Sequence, residues 1–517
     1  MSLLLSGCIE VVSLPSRKGD VSPEVSNVLL RLIDDQEKGV ASTIDYNATS
    51  LGVISTLPTP AGLRLRLRYQ EVGISLVEAL KASRDQDLLA RLLELAKWSQ
   101  GRRVRSEALV TVAAFSDPAD LSHFEQALTD QDVGIRFAAV EALQKWGREE
   151  SLPLLRKAAA DPWSPLIRVF AAQAAVSLGD QSAMSVLYSS LEDRSWIVRA
   201  MAARYLGDYA NPDDYPKLLK VVDQESRNDF VAAEAAISTL KLLAKKADTP
   251  VPAPKRNAKD AASGRYNVAT DDVVEMEPLV IRPPRLNIPE SVRVAQSVNN
   301  RLIQLIQTRL SATPDPELQN DPNLQDLNRM VTPEGFALQT RYSQLTVAVA
   351  EGLAGTTDPL LRTQLTHLTD TGQNELTRAA ALLSLSYARN KEDVPIITLA
   401  LRDNSSIVRF GAMEAAEAGR FKEAIPDLLG LASSDAVPVF RVYAIQALLE
   451  FGDSSARDLL LSHTDDQDWP SRAMTYWLLG RYGESGDHAV VMSQFGRENN
   501  SFVLAELALA SQRLAPQ

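Results

Sequence analysis

Four histidines and one cysteine are all the imidazole and thiol chemistry in this 517-residue chain, and their settings hold no reactive pattern. His123, His367, His463 and His488 are followed by Phe, Leu, Thr and Ala, and they are scattered along the chain. No spaced His/Cys cluster for zinc results, and Cys8 is remote from every histidine, so no Cys-His nucleophile pair is expected. No Walker loop or Gly-rich dinucleotide fingerprint is present. The reading is therefore of a chain with no catalytic, metal or cofactor residues. What recurs instead is a charge pair. Asp130 and Arg136, Asp193 and Arg199, Asp403 and Arg409, Asp435 and Arg441, and Asp466 and Arg472 share one interval, and Asp161 to Arg168 is one residue longer. Arginine can hold carboxylates and helix ends through a fork of donors, and a pair repeated so evenly points to a structural ladder.

The elements that carry these pairs are helices. Each arginine opens an alanine-rich segment, as in Ile135-Arg136-Phe137-Ala138-Ala139-Val140-Glu141-Ala142-Leu143. There Ile135, Ala138, Ala139, Ala142 and Trp146 recur at three- and four-residue steps, which places them on one helix face. A shorter helix precedes it (Leu121, Phe124, Leu128), separated by an Asp-rich turn at Thr129 to Asp132. Gly147 and Gly179 are placed to end the second helix in the left-handed conformation. The arginines step by about 31 residues, within the range of solenoid repeats. A longer period encloses that one: adding 273 to Thr59, Pro60, Gly62, Arg68 and Tyr69 gives Thr332, Pro333, Gly335, Arg341 and Tyr342. The same offset carries Arg105, Arg136, Arg168 and Arg199 to Arg378, Arg409, Arg441 and Arg472, and Trp196 to Trp469. The chain is a tandem duplication.

The local signature, Asp, then Val/Ile-Arg, then Ala-Ala, resembles HEAT repeats of the short class named for phycobilisome lyases, over roughly Ser99 to Leu243 and Gly372 to Leu514. The resemblance implies an all-α α-solenoid (α-α superhelix) of HEAT-like helical pairs in two tandemly duplicated arrays. It also implies that the Asp/Arg pairs link neighbouring repeats. Deoxyhypusine hydroxylases have similar repeats and hold two irons through His-Glu pairs, which none of the four histidines here matches. Phycobilin lyases, of the same repeat type, supply the alternative reading, an enzyme or enzyme subunit. The leading reading is a non-enzymatic scaffold for protein partners on the concave surfaces.

The expected division is an N-terminal tether at 1–24, a first array at 25–245, a Pro-rich and acidic linker at 246–290, and a second array at 291–517. The linker includes Thr249-Pro250-Val251-Pro252-Ala253-Pro254 and reads as a flexible tether or as a recognition motif. A net charge of −12 argues against nucleic acid as a partner. No run approaches the roughly 20 apolar residues of a spanning helix. Leu5-Ser6-Gly7-Cys8 resembles the lipobox of bacterial lipoproteins, which implies lipidation at Cys8 and anchorage in the cell envelope. Only seven residues precede Cys8 and none is basic, so an upstream start is expected; the competing reading is a frayed, cytoplasmic N-terminus. Leu63-Arg64-Leu65-Arg66-Leu67-Arg68 reads as a helix entry with leucines packed and arginines in solvent, or as a patch for polyanions. Trp196 and Trp469 read as packing between repeats or as binding anchors. Asn47-Ala48-Thr49 fits a glycosylation sequon.

Overall fold

The computed structural model describes residues 23–37, 48–70, 77, 79, 86–99, 101–113, 121–225, 228–247, 293–309, 321, 323–342, 345–370 and 372–515. Cys8, Asn47 and linker residues 248–290 lie outside them. All regular secondary structure among the described residues is helical.

Most repeats are a shorter outer helix, a turn and a longer inner helix. Leu121–Ala127 and Val133–Trp146 form one such pair. The turn stops the first helix and starts the second because Asp132 accepts the Gly134 N–H as N-cap. Ser164, Ser195, Asn374, Asp468 and Asn500 cap later inner helices in the same manner. At the far end Gly147 (φ 70°) and Gly452 (φ 74°) adopt the left-handed conformation that favours glycine. The residue equivalent to Gly147 in the second half is Arg420, which takes φ 55° without that freedom.

Inner helices stack in succession, Arg102–Val112 to Val133–Trp146 to Pro165–Ser177 to Trp196–Tyr209 to Asp229–Ala247, and likewise from Glu375–Ser386 to Ser501–Leu514. Alanines at the contacts allow close approach: Ala138, Ala139 and Ala142 are wholly buried, and Phe137 stacks on Phe170 at 4.1 Å. The outer Leu121–Ala127 helix buries only Phe124 and Ala127. The inner Trp196–Tyr209 helix, by contrast, leaves only Arg199, Asp208 and Tyr209 outside the core. A helix buried nearly all round needs cover on its second face.

That cover comes from the other half of the chain. The first half begins with an arm of three helices, Pro23–Glu37, Thr49–Ile54 and Pro60–Gln70. Pro23–Glu37 packs on Ser501–Leu514, and Thr49–Ile54 packs on Pro438–Phe451 and Trp469–Tyr482. The second half begins with the equivalent arm, Arg293–Arg309, Asn323–Leu327 and Pro333–Arg341. It packs in turn on Asp229–Ala247, Val133–Trp146 and Pro165–Ser177 of the first array. The two arms meet where Leu63 joins Val331, Phe336 and Ala337 in a small apolar cluster. Beside them Leu345–Gly352 links Asp229–Ala247 to Glu375–Ser386, so the first array runs on into the second.

This packing corrects two expectations. The division at 25–245 and 291–517 follows the duplication, but the residues of each arm belong by contact to the opposite array. The arrays are therefore not separate bodies on a tether. Nor are the inner helices, expected to line an open concave surface, left uncovered, because the arms lie on them. The Gly134 position shows how close that approach is: a Cβ there would stand 2.1 Å from the Arg329 carbonyl of the opposing arm.

Candidate interaction surfaces and the seams

The ladder runs along the turns. Each of its aspartates turns one carboxylate oxygen back to the N–H two residues on, as Asp130 does to Asp132 (2.8 Å), Asp161 to Trp163 (2.7 Å), Asp193 to Ser195 (2.9 Å), Asp403 to Ser405 (2.8 Å), Asp435 to Val437 (2.8 Å) and Asp466 to Asp468 (2.9 Å). The arginine of the same repeat donates to the backbone carbonyl of its aspartate: Arg136 to Asp130, Arg168 to Asp161, Arg199 to Asp193, Arg409 to Asp403, Arg441 to Asp435 and Arg472 to Asp466, at 2.6 to 3.2 Å. The carboxylate goes to the arginine of the preceding repeat. Arg105 meets Asp130 at 2.6 Å, Arg168 meets Asp193 at 3.3 Å, Arg378 meets Asp403 at 2.5 Å and Arg409 holds Asp435 at 2.8 and 3.0 Å. Arg136 and Asp161 are looser at 3.9 Å.

Two rungs escaped the sequence reading. Arg199 and Arg472 end on Glu225 (2.6 Å) and Glu498 (2.9 Å), which stand 26 residues further on, the same interval as Arg409 to Asp435. That interval was the available signal. Among the described residues Arg441 bonds the carbonyl alone, and the Asp466 carboxylate turns to His463 at 3.1 Å. Arg378 beside Asp403 offsets the burial of that carboxyl and leaves its pKa below the usual range. Arg409→Ala is expected to lower the unfolding free energy by about 2 to 3 kcal/mol and Arg441→Ala by about 1 kcal/mol in urea titration, with partner binding per folded molecule unchanged. Equal losses at the two sites would contradict this geometry.

The seams between arm and array concentrate buried charge. Arg68 of the first arm forks onto Glu506 of the second array with both bonds at 2.5 Å, and Arg341 of the second arm forks onto Glu234 of the first at 2.6 and 3.0 Å. Arg341 also reaches Glu351 at 3.0 Å. Burial opposes the Arg341 charge, but Glu234 and Glu351 more than offset it and raise its pKa. Beside each fork stands an aromatic trio. Trp469 stacks on Phe502 at 4.7 Å and meets the edge of Tyr69 at 5.8 Å; Trp196 stacks on Phe230 at 5.0 Å and meets Tyr342 at 6.0 Å. The two tryptophans thus pack between repeats and across the seam. They are buried.

The arginine run is corrected in the same place. Pro60–Gln70 is a helix with Leu63 and Leu65 buried as expected, yet Arg68 is 7% exposed and Arg64 and Arg66 are half-buried. The Arg66 guanidinium lies over Phe336 at 5.8 Å, and burial followed by Arg103 lowers its pKa. These side chains point into the seams rather than to solvent or polyanions.

Two buried carboxyls close the arm ends. Glu414 accepts the Ala61 N–H at 3.0 Å, capping the first arm's third helix from the opposite array. Burial pushes its pKa up to about 7 against Thr59, Arg64 and the Ala61 N–H. At the other seam Glu334 occupies the place of Ala61, and its pKa is pushed up to about 7 by burial, countered by Arg204, with Glu141 adding to the rise.

Outside the seams, the large exposed apolar side chains among the described residues are Trp98 (66% exposed), Trp163 (86%), Leu360 (55%) and Leu399 (74%). Trp98 borders an open groove of about 350 Å³ with Lys97, Arg102, Gln126 and Asp132. A second groove of about 660 Å³ lies beside Arg362, Thr363 and Asp393. Among the described residues no group of His, Cys, Asp and Glu is arranged to hold a metal ion, and no helix is long and apolar enough to cross a membrane.

HEAT repeats are found at residues 63–144, 163–241 and 425–511, where the family model for them matches. No curated protein matches the chain. Among solved structures, human deoxyhypusine hydroxylase in complex with glycerol is 17% identical over 65% of this chain and 96% of that one, with a TM-score of 0.22. An engineered protein is 13% identical over 82% and 98%, at 0.24. A Kap121p mutant is 13% identical over 94% of this chain and 52% of its own, at 0.32. At these TM-scores the likenesses carry no argument, and the assignment of a HEAT-repeat α-solenoid rests on the matched segments and the repeat geometry.

Proposed function

We propose that this chain is a non-enzymatic scaffold built from HEAT repeats of the short class, and that it takes its protein partner on the outer edge of the first array. The observation that carries this reading is Trp163. The Asp161 to Arg168 turn is one residue longer than the other ladder turns, and it stands a tryptophan 86% exposed in solvent. Trp98 is the other exposed tryptophan, on the corresponding edge two repeats earlier. Tryptophan is enriched among the residues that dominate protein interfaces. The residue equivalent to Trp163 in the second half is Ala436, so the feature belongs to one copy. With the inner helices covered by the arms, the two tryptophans of the turn edge are the bulkiest exposed apolar side chains among the described residues.

A photo-crosslinking residue placed at Trp163 is expected to capture a discrete protein partner, whereas the same residue at the exposed Ala436 captures none. Equal yields from both would overturn the placement. The reading includes the bacterial cell envelope, with a lipid on Cys8 supported by Leu5-Ser6-Gly7-Cys8. Mass spectrometry of the mature N-terminus, after expression with the upstream genomic sequence, tests that part. An unmodified Met1 removes it.

A further inference from the structure

The strongest seam contacts do not say which arm belongs on which array. Arg68 and Arg341 are equivalent residues at the offset of 273, as are Tyr69 and Tyr342 and Trp196 and Trp469, and Phe230 and Phe502 and Glu234 and Glu506 are equivalent at 272. Each half therefore owns both sides of the same fork and the same aromatic trio. By these contacts alone, an arm fits its own array, or that of a second copy of its own half, as well as it fits the opposite one.

One pair of contacts breaks the equivalence. Asp321 of the second arm, 8% exposed, accepts from the Ser195 hydroxyl at 2.9 and 3.1 Å and from the Trp196 N–H at 3.0 Å. In the second array the place of Ser195 is taken by Asp468, 9% exposed, and in the first arm the place of Asp321 is taken by Ala48. There the polarity is reversed. Ser50 of the arm gives its N–H to Asp468 at 3.3 Å, and its hydroxyl accepts the Val439 N–H at 3.0 Å. Setting the second arm on the second array would bring Asp321 against Asp468, two carboxylates with almost no access to water. Like charges so placed repel strongly, and each loses its donor across the seam, Asp321 keeping only Asn323 and Asp468 only Ser471.

We propose that the inner face of the second array excludes the second arm, and that the acceptor-donor exchange between Asp321 with Ser195 and Asp468 with Ser50 thereby assigns each arm to the array of the other half. The forks and aromatics supply adhesion common to both seams. The aspartates supply the choice, as a repulsive element against the wrong arm.

The test uses the full chain carrying a specific protease site within residues 250–290. After cleavage the two halves are expected to remain a single one-to-one particle by native mass spectrometry, with neither half paired to itself. Ser195→Asp retains a good N-cap for the Trp196–Tyr209 helix, so its effect is confined to the seam. It is expected to make the cleaved halves separate at roughly tenfold or higher concentration than the parent, and Ser195→Asp with Asp321→Ser is expected to restore the pair. Halves of the parent that separate or scramble, or a Ser195→Asp variant that holds together like the parent, overturn the proposal. If Ser195→Asp does not fold, a folded double variant supports the proposal and an unfolded one overturns it.

Discussion

Replacing Glu506 by alanine is expected to cost about 3 to 5 kcal/mol of unfolding free energy, the range for removing one partner of a buried ion pair. The carboxylate is fully buried, and it holds both arms of the Arg68 fork at 2.5 Å. Its loss leaves a guanidinium over the Trp477 ring, 5.2 Å away, without the bidentate acceptor that offsets its desolvation. The penalty comes from the guanidinium losing its bidentate acceptor more than from the net worth of the pair. Arg68→Met combined with Glu506→Leu, which removes both charges and keeps similar volume, is therefore expected to lose far less than either single change to alanine. Urea titration of the single and double variants measures the coupling. A Glu506→Ala loss below about 1 kcal/mol, or additive losses in the cycle, would show that the fork contributes little to the seam. Glu234→Ala is expected to act in the same direction at the other seam, where Glu351 remains as a second acceptor for Arg341.

Those seams were only half legible in the amino-acid sequence. The repeat unit was plain, because alanine spacing, capped turns and the interval from Asp to Arg are local properties that each repeat restates. The ladder residues were legible for the same reason, although their carboxylates turn out to serve the preceding repeat. Glu234 sits in Val231-Ala232-Ala233-Glu234-Ala235-Ala236 and Glu506 in a similar setting, and a lone carboxylate on an apolar helix face signals a buried cation. Which cation was not readable. Duplication makes Arg68 and Arg341 interchangeable by type and spacing, so sequence cannot tell an arm packed on its own array from one packed on the other. Only positions where the copies differ, such as Ala48 against Asp321 and Ser195 against Asp468, hold that information, and they are interpretable only once the two sides are seen in contact. The covering of the inner faces was hidden for a related reason: an inner helix written Ala-Ala-Val-Glu-Ala-Leu has the same pattern whether its second face meets solvent or an arm.

The protein is expected to grow less stable as pH rises from 5 to 8, and Glu334 and Glu414 are the groups that make it so. Both carboxyls have pKa values pushed up to about 7 in the folded state, against an ordinary value of 4.5. The folded state thus holds protons that the unfolded chain has released between those two values, so stability falls with rising pH across that window and levels off above about 7. A rise of this size corresponds to roughly 3 kcal/mol per site when fully expressed. The groups facing Glu334 are Glu141 and Lys145 from one array helix, Arg204 from another and Arg341 of its own arm. The cations hold the rise back without cancelling it, and Glu141 adds to it. Glu334→Gln keeps the shape and removes the titration. It is expected to match the parent at pH 5 and to exceed it at pH 8 by about 2 to 3 kcal/mol. General self-repulsion of a chain with net charge −12 also grows with pH, so the exposed Glu149→Gln change serves as the control for charge alone. Urea midpoints at pH 5 and pH 8, at fixed ionic strength, decide the matter. If Glu334→Gln gains no more at pH 8 than Glu149→Gln does, the carboxyl is ionised in the folded seam and its burial is compensated by Arg204 and Lys145. A gain confined to Glu334→Gln and Glu414→Gln instead locates the pH dependence in the two arm ends, where the halves clasp each other.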